Sequence, residues 1–367
     1  MRLALCWVLA TACSFHGATL DPDVGDAPRD ADLVPACHGA ACHRLRIAIH
    51  HALVAEPLQD FPVLVHVADP DLANAHGTDF TFTDGAQVLP YERVAFAGTD
   101  LVAWVGVPAL SPTADTVLYL YYGDPAAADG QDPTHVWDAH FEGVWHLDGT
   151  ASGTAAITDA TAHANHGADV GGPQLGVPGA LGNAVQLDGI DDGLVIPAST
   201  GLGAAATTGT ISLWVSWTQS LNTVNQRLLM SADTFAGDGT GFEWAINGLG
   251  YYYFYPADGG GNNYTGLPDP FSDGAWHLAA LTLDLASRTV GMYLDGQPLT
   301  PDMSGLATLW THAATSADWY WGGGPTRRRF TGLLDELRVS SVVRSPGWLA
   351  TEWNNQHAVD AFATVGR

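Results

Sequence analysis

Apolar and polar residues alternate with period two through much of the chain. RLRIAIHH alternates from Arg44, and FPVLVHV places Phe61, Val63, Val65 and Val67 on one face of a strand. TDFTFTDG, QVLPYERV, DLVAWVGVPAL and TVLYLYYGDP continue as short strands with turn residues between them, the spacing of a sandwich or barrel. Further along, TISLWVSW sets Ile211, Leu213, Val215 and Trp217 against Ser212, Trp214 and Ser216 on the opposite face. DGAWHLAALTLD followed by RTVGMYLDG reads as strand, turn, strand. Stacked antiparallel sheets about 10 Å apart bury such faces, so the pattern predicts an all-β protein.

Composition sharpens this picture. Of 39 acidic residues only six are glutamate, and nine aspartates precede glycine, the strongest short-range signal for a hairpin. The positive charges are thirteen arginines with no lysine, which with abundant Ala and Gly suggests a high-GC bacterial genome. A net charge of −26 repels phosphate backbones, and nucleic-acid binding is not expected. Nothing beyond the first dozen residues approaches the roughly 20 apolar residues of a membrane span.

The opening MRLALCWVLATAC has one cation, an apolar run and small residues before Cys13, the layout of a secretory signal. It resembles a bacterial lipoprotein signal, which would make Cys13 the lipidated residue and the outer membrane the destination. Ala10-Thr11-Ala12 equally suits an ordinary signal peptidase. Lipidation of Cys13 leaves Cys37 and Cys42 as an even pair, expected to close a small disulfide loop. A haem attachment at Cys37, Cys42 and His43 has the wrong spacing, and a zinc site lacks its second ligand group.

Two resemblances organise the rest. FPVLVHV, TDFTFTDGAQVLPYE, LVAWVGVPALSP and TVLYLYYGDP resemble a bacterial extracytoplasmic domain of unknown function. GNAVQLDGIDDGLVIP, TISLWVSW, DGAWHLAALTLD, RTVGMYLDGQPL and FTGLLDELRVSSVVRS resemble a laminin-G-like, concanavalin-A-like jelly roll. SPGWLATEWNNQ resembles its closing helix, with Ser345 as N-cap and Pro346 at the first position. The expected layout is a signal at 1–12, an acidic tether at 13–42, an N-terminal β-sandwich at 43–124 and a linker at 125–142. A jelly roll at 143–357 with a short C-terminal helix and a tail at 358–367 complete it.

Concanavalin-A-like folds include glycoside hydrolases, whose two carboxyl groups stand about 5 to 9.5 Å apart. No strand offers carboxylates at i and i+2. Asp335 and Glu336 are adjacent and should face opposite ways, and Glu243 stands alone. A Gly-x-Ser-x-Gly elbow and a His-Glu-x-x-His motif are absent, and GLGAAA at 201–206 runs into a strand rather than a nucleotide-binding helix.

Asp188, Asp191 and Asp192 lie between two apolar pieces, where turn chemistry competes with a calcium role. The family resemblance implies a structural Ca²⁺ site at Asp159, Asn165 and Asp335, although Ala162 and Ala164 replace glycines of the family loop. For glycan binding the candidates are Tyr251 and Tyr253 in GYYYFYP and Trp319 and Trp321 in ADWYWGGG, half of these aromatic runs being required for the core. Arg327, Arg328 and Arg329 could meet acidic sugars or remain solvated. The sequence therefore points to a non-catalytic secreted or cell-envelope protein that binds a polysaccharide or a surface protein, touching the membrane only through a lipid anchor. A protein-binding scaffold and a glycoside hydrolase are the alternatives.

Overall fold

Leu45, Ile47 and Ile49, the apolar positions of His43–Ile49, point inward beside Leu118 and Leu120 of Thr116–Tyr122. The structure is a computed structural model, describing residues 42–218, 226–231, 242–246, 251–256, 265–268, 272–284, 286–300, 317–323 and 329–366. A five-stranded sheet runs Ala363–Gly366, His43–Ile49, Thr116–Tyr122, Thr81–Thr83, Val88–Leu89. Its partner is a three-stranded sheet of Leu58–Ala68, Asp100–Leu110 and Tyr91–Ala97. Phe61, Val63, Val65 and Val67 are all buried between them, as their alternation predicts.

The larger sandwich stacks an eight-stranded sheet on a seven-stranded one. Thr208–Thr218 sits inside the first sheet, between Asp273–Asp284 and Thr331–Ser340. Its Ile211, Leu213, Val215 and Trp217 enter the core with Trp244, Phe254, Trp319 and Trp321 of the facing sheet. The opposite face is covered too, because Trp214 packs against Trp353 of helix Pro346–His357, ring centres 5.2 Å apart and tilted by 35°, and donates to Gln356. That helix starts as expected, with the Ser345 hydroxyl accepting the Trp348 N–H at 3.0 Å.

Three expectations change. Residues 363–366, expected in a free tail, form a strand that pairs with His43–Ile49, so the end of the chain completes the first sheet. The expected linker at 125–142 is packed, with Val136 and Trp137 buried, and a strand already begins at Phe141. GLGAAA is largely helical, in Thr200–Ala205 capped by Ser199, but this six-residue helix only bridges two strands.

Alternation also breaks within Thr331–Ser340. Ser212 pairs with Arg338 and Trp214 with Asp335, so Leu213 stands opposite both Glu336 and Leu337. Glu336 takes the left-handed conformation at φ 49, which makes it the extra residue of a β-bulge. Asp335 and Glu336 therefore do not follow strict period two, and neither joins the apolar core of the sandwich.

Candidate functional site

On Phe242–Ile246, period two sends Phe242, Trp244 and Ile246 into the core and leaves Glu243 and Ala245 on the outward side of the seven-stranded sheet. Glu243 is only 1% exposed, and it accepts the hydroxyl of Tyr253 from the adjacent strand Tyr251–Pro256. Tyr253 is itself buried, while Tyr252 and Phe254 fill the core as the alternation requires. The side chain of Tyr251 lies outside the described residues. Trp319 and Trp321 are fully buried in the core, so neither presents a ring to a sugar. The residue between them, Tyr320, is half-buried on the outward side, the reverse of the assignment made from the aromatic run.

The loop expected to hold calcium is a hydrogen-bonded turn. Asp159 accepts four donors: the N–H groups of Val144, Thr161 and Asn165 and the Thr161 hydroxyl, at 2.8 to 3.0 Å. Four donors fill the lone-pair sites of a carboxylate. The Asn165 amide donates to the Glu142 carbonyl at 2.6 Å, and its backbone carbonyl accepts the Trp145 indole at 2.9 Å. Asp335 is fully buried and bonded by the Leu181 N–H at 2.9 Å. Burial, reinforced by Glu336, pushes its carboxyl up to about 8. The donors around Asp159 are therefore all protein groups, and Asp335 keeps one buried oxygen without a partner among the described residues.

Asp188, Asp191 and Asp192 carry ligand atoms within 4.8 Å of one another, at the turn where the chain passes from one sheet to the other. The contacts are those of a turn: Asp188 accepts the Ile190 N–H at 2.7 Å and Asp192 accepts the Asp188 N–H at 3.0 Å. Arg329 donates to the Asp192 carbonyl at 3.1 Å, while Arg327 and Arg328 lie outside the described residues. So do Cys13 and Cys37. Cys42 is disulfide-bonded.

A buried charge network joins the two sandwiches, and pattern reasoning missed it. The ring of His146 faces Glu336 at 2.8 Å and Glu92 at 3.3 Å, one carboxylate on each nitrogen. Arg338 bonds Glu336 at 2.8 Å and Glu352 at 3.2 Å, and its guanidinium lies 4.5 Å from the Trp104 ring. Burial alone would lower the His146 imidazole, but Glu336 and Glu92 outweigh it and hold the ring well above 6.5. The Glu336 carboxyl moves the other way, because His146 and Arg338 overcome the burial that would raise it. A signal was available: glutamate is rare here, and four of the six, Glu142, Glu243, Glu336 and Glu352, are buried. Burial is the rule for glutamate in this chain, though aspartates such as Asp159 and Asp335 are buried too.

Residues 188–350 match the family described as the concanavalin A-like lectin/glucanases superfamily. The larger sandwich is a concanavalin-A-like domain with a short C-terminal helix. No curated protein matches the chain. Among solved structures, the botulinum neurotoxin serotype D binding domain is 11% identical, with a TM-score of 0.47 over 59% of this chain and 52% of its own. Trypanosoma rangeli sialidase in complex with the inhibitor DANA is 13% identical, with a TM-score of 0.45 over 72% of this chain and 42% of its own. Domain 4 of AbnA, a GH43 extracellular arabinanase from Geobacillus stearothermophilus in complex with arabinotriose, is 18% identical with a TM-score of 0.39. That match covers 58% of this chain and 98% of the arabinanase domain. The chain spans about half the length of the first of these structures.

Proposed function

We propose that this is a non-catalytic binding protein of the cell envelope whose larger sandwich holds a carbohydrate on the outward side of its seven-stranded sheet. The supporting observation is Tyr320, half-buried on the side of the sheet away from the core, in the same cross-strand row as Glu243, whose buried carboxylate accepts the Tyr253 hydroxyl. An outward aromatic ring that carries a hydroxyl suits sugar ring faces and hydroxyls. Hydrolysis is not part of the reading. The adjacent acids Asp335 and Glu336 are buried, and Glu336 is held by His146 and Arg338. The amino-terminal segment delivers the protein to the envelope in this reading, with Cys13 as the lipid attachment point. Among the described residues no helix is long and apolar enough to cross a membrane.

The test titrates the full chain and its Tyr320→Ala and Glu243→Gln variants against a polysaccharide panel. Saturable binding without release of reducing sugar, weakened in both variants, is expected. Sugar release that Glu243→Gln abolishes would replace the reading with a hydrolase. Burial of Trp319, Trp321 and Tyr253 favours a second reading, a scaffold that binds proteins. Absence of binding to every polysaccharide would move the assignment there.

A further inference from the structure

The outer face of the five-stranded sheet carries a group of side chains that the larger sandwich does not explain. His43–Ile49 and Thr116–Tyr122 pair antiparallel with Arg44 opposite Tyr121 and Arg46 opposite Tyr119. Leu45, Ile47, Leu118 and Leu120 fill the core, so period two turns both arginines and both tyrosines outward. Both arginines are exposed and both tyrosines are half-buried. The Arg44 guanidinium lies over the Tyr119 ring, 5.1 Å from its centre, within cation–π distance.

Charge makes this face unusual in its own protein. Acidic residues outnumber cationic ones by 39 to 13, and three of the described arginines are held in ion pairs. Arg93, Arg338 and Arg344 each meet a carboxylate, at 3.7, 2.8 and 2.7 Å. Among the described residues, neither Arg44 nor Arg46 has one. Two adjacent cations without counter-charge select an anion, and a guanidinium fork fits a carboxylate with two parallel hydrogen bonds. The tyrosine rings supply flat apolar plates beside the forks. Residues two apart on a strand repeat at roughly 6.6 Å, so fork and plate recur along the face at that interval.

We infer that this face of the smaller sandwich binds an acidic glycan, a chain of sugar rings bearing carboxylates, with Arg44 and Arg46 on the carboxylates and Tyr119 and Tyr121 against the rings. An acidic peptide fits less well, since extended peptides dock on sheet edges through backbone hydrogen bonds and this is a sheet face. The net charge of the whole chain does not forbid it, because exposed charges are screened over about 8 Å at physiological ionic strength. The inference does not depend on the reading of the seven-stranded sheet.

The experiment is calorimetric titration of the full chain with an oligogalacturonate, its methyl ester, and a poly-aspartate peptide of equal charge. Oligogalacturonate binding should fall about tenfold or more in Arg44→Gln/Arg46→Gln, a loss of one to two charge-assisted contacts. It should also weaken in Tyr121→Ala, fall with added salt, and persist in Glu243→Gln. The three substituted residues of the patch are exposed or half-buried, and unchanged melting temperatures confirm that the variants fold. Methyl ester binding as tight as the acid, poly-aspartate binding as tight as the glycan, unchanged binding in the double variant, or no binding at all would each overturn the inference.

Discussion

Both oxygens of Asp159 are occupied by donors from Val144, Thr161 and Asn165, so this carboxylate holds a strand and its following loop together. Asp159→Ala leaves several buried donors without acceptors and should destabilise the protein by about 3 kcal/mol or more. Urea unfolding should show the same loss with calcium and with chelator, since the donors on this carboxylate are protein groups. A loss that shrinks in chelator would assign the loop a calcium role. The same loop contains Ala164 at φ 51, a left-handed alanine where the family resemblance expects glycine. That conformation costs an L-residue roughly 1–2 kcal/mol, part of which is offset because alanine has less freedom to lose on folding. Ala164→Gly should therefore raise stability by about 0.5–1 kcal/mol, read as a higher urea midpoint with an unchanged slope.

Thr331–Ser340 shows what an element can add to its residues. Its bulge at Glu336 sets two adjacent acids in opposite titration regimes. Asp335 keeps its proton up to about 8 when folded against 3.8 ordinarily, so between those values the folded state binds the extra proton and stability falls as pH rises. The slope reaches at most about 1.4 kcal/mol per pH unit, and Asp335→Asn should abolish it in pH-dependent urea unfolding. His146, held above 6.5, contributes stability that is complete below that value and lost as pH climbs through its folded value. Glu336, held below 4.5, contributes stability present above that value and lost in stronger acid. Wild-type stability should thus peak in mildly acidic solution. Glu336→Gln leaves His146 and Arg338 short of a buried counter-charge and should cost about 3–5 kcal/mol at neutral pH. The strands themselves were readable in the sequence, because one apolar face per strand repeats with period two. The bulge was not, since a single left-handed glutamate leaves no mark on that period. The core tryptophans were ambiguous for a related reason: in WYW both faces are aromatic, and only tertiary packing selects Trp319 and Trp321 over Tyr320.

At the scale of the molecule, the two sandwiches are tied by sequence-distant contacts. The second core cluster spans both, combining Phe61, Trp104 and Val144 with Ala280, Trp348, Leu349, Phe362 and Ala363. Asn355 of the C-terminal helix donates to and accepts from the backbone of Leu64, each at 2.8 Å, covering the open edge of the three-stranded sheet. The chain then crosses back, and Ala363–Gly366 pairs with His43–Ile49 through Ile49 opposite Ala363 to Arg46 opposite Gly366. The smaller sandwich is therefore completed only when the last residues are present. Removing residues 359–367 takes away a whole strand and the buried Phe362 and Ala363. It also leaves the edge of His43–Ile49 open to solvent and to other chains. The larger sandwich keeps its own core, none of whose residues lies in the deleted segment. Calorimetry of the intact chain should give one cooperative transition. The truncated chain should give two, the first belonging to the smaller sandwich and coinciding with protease cleavage within residues 43–124. A single transition at the original temperature would mean that the returning strand decorates a sandwich already stable without it.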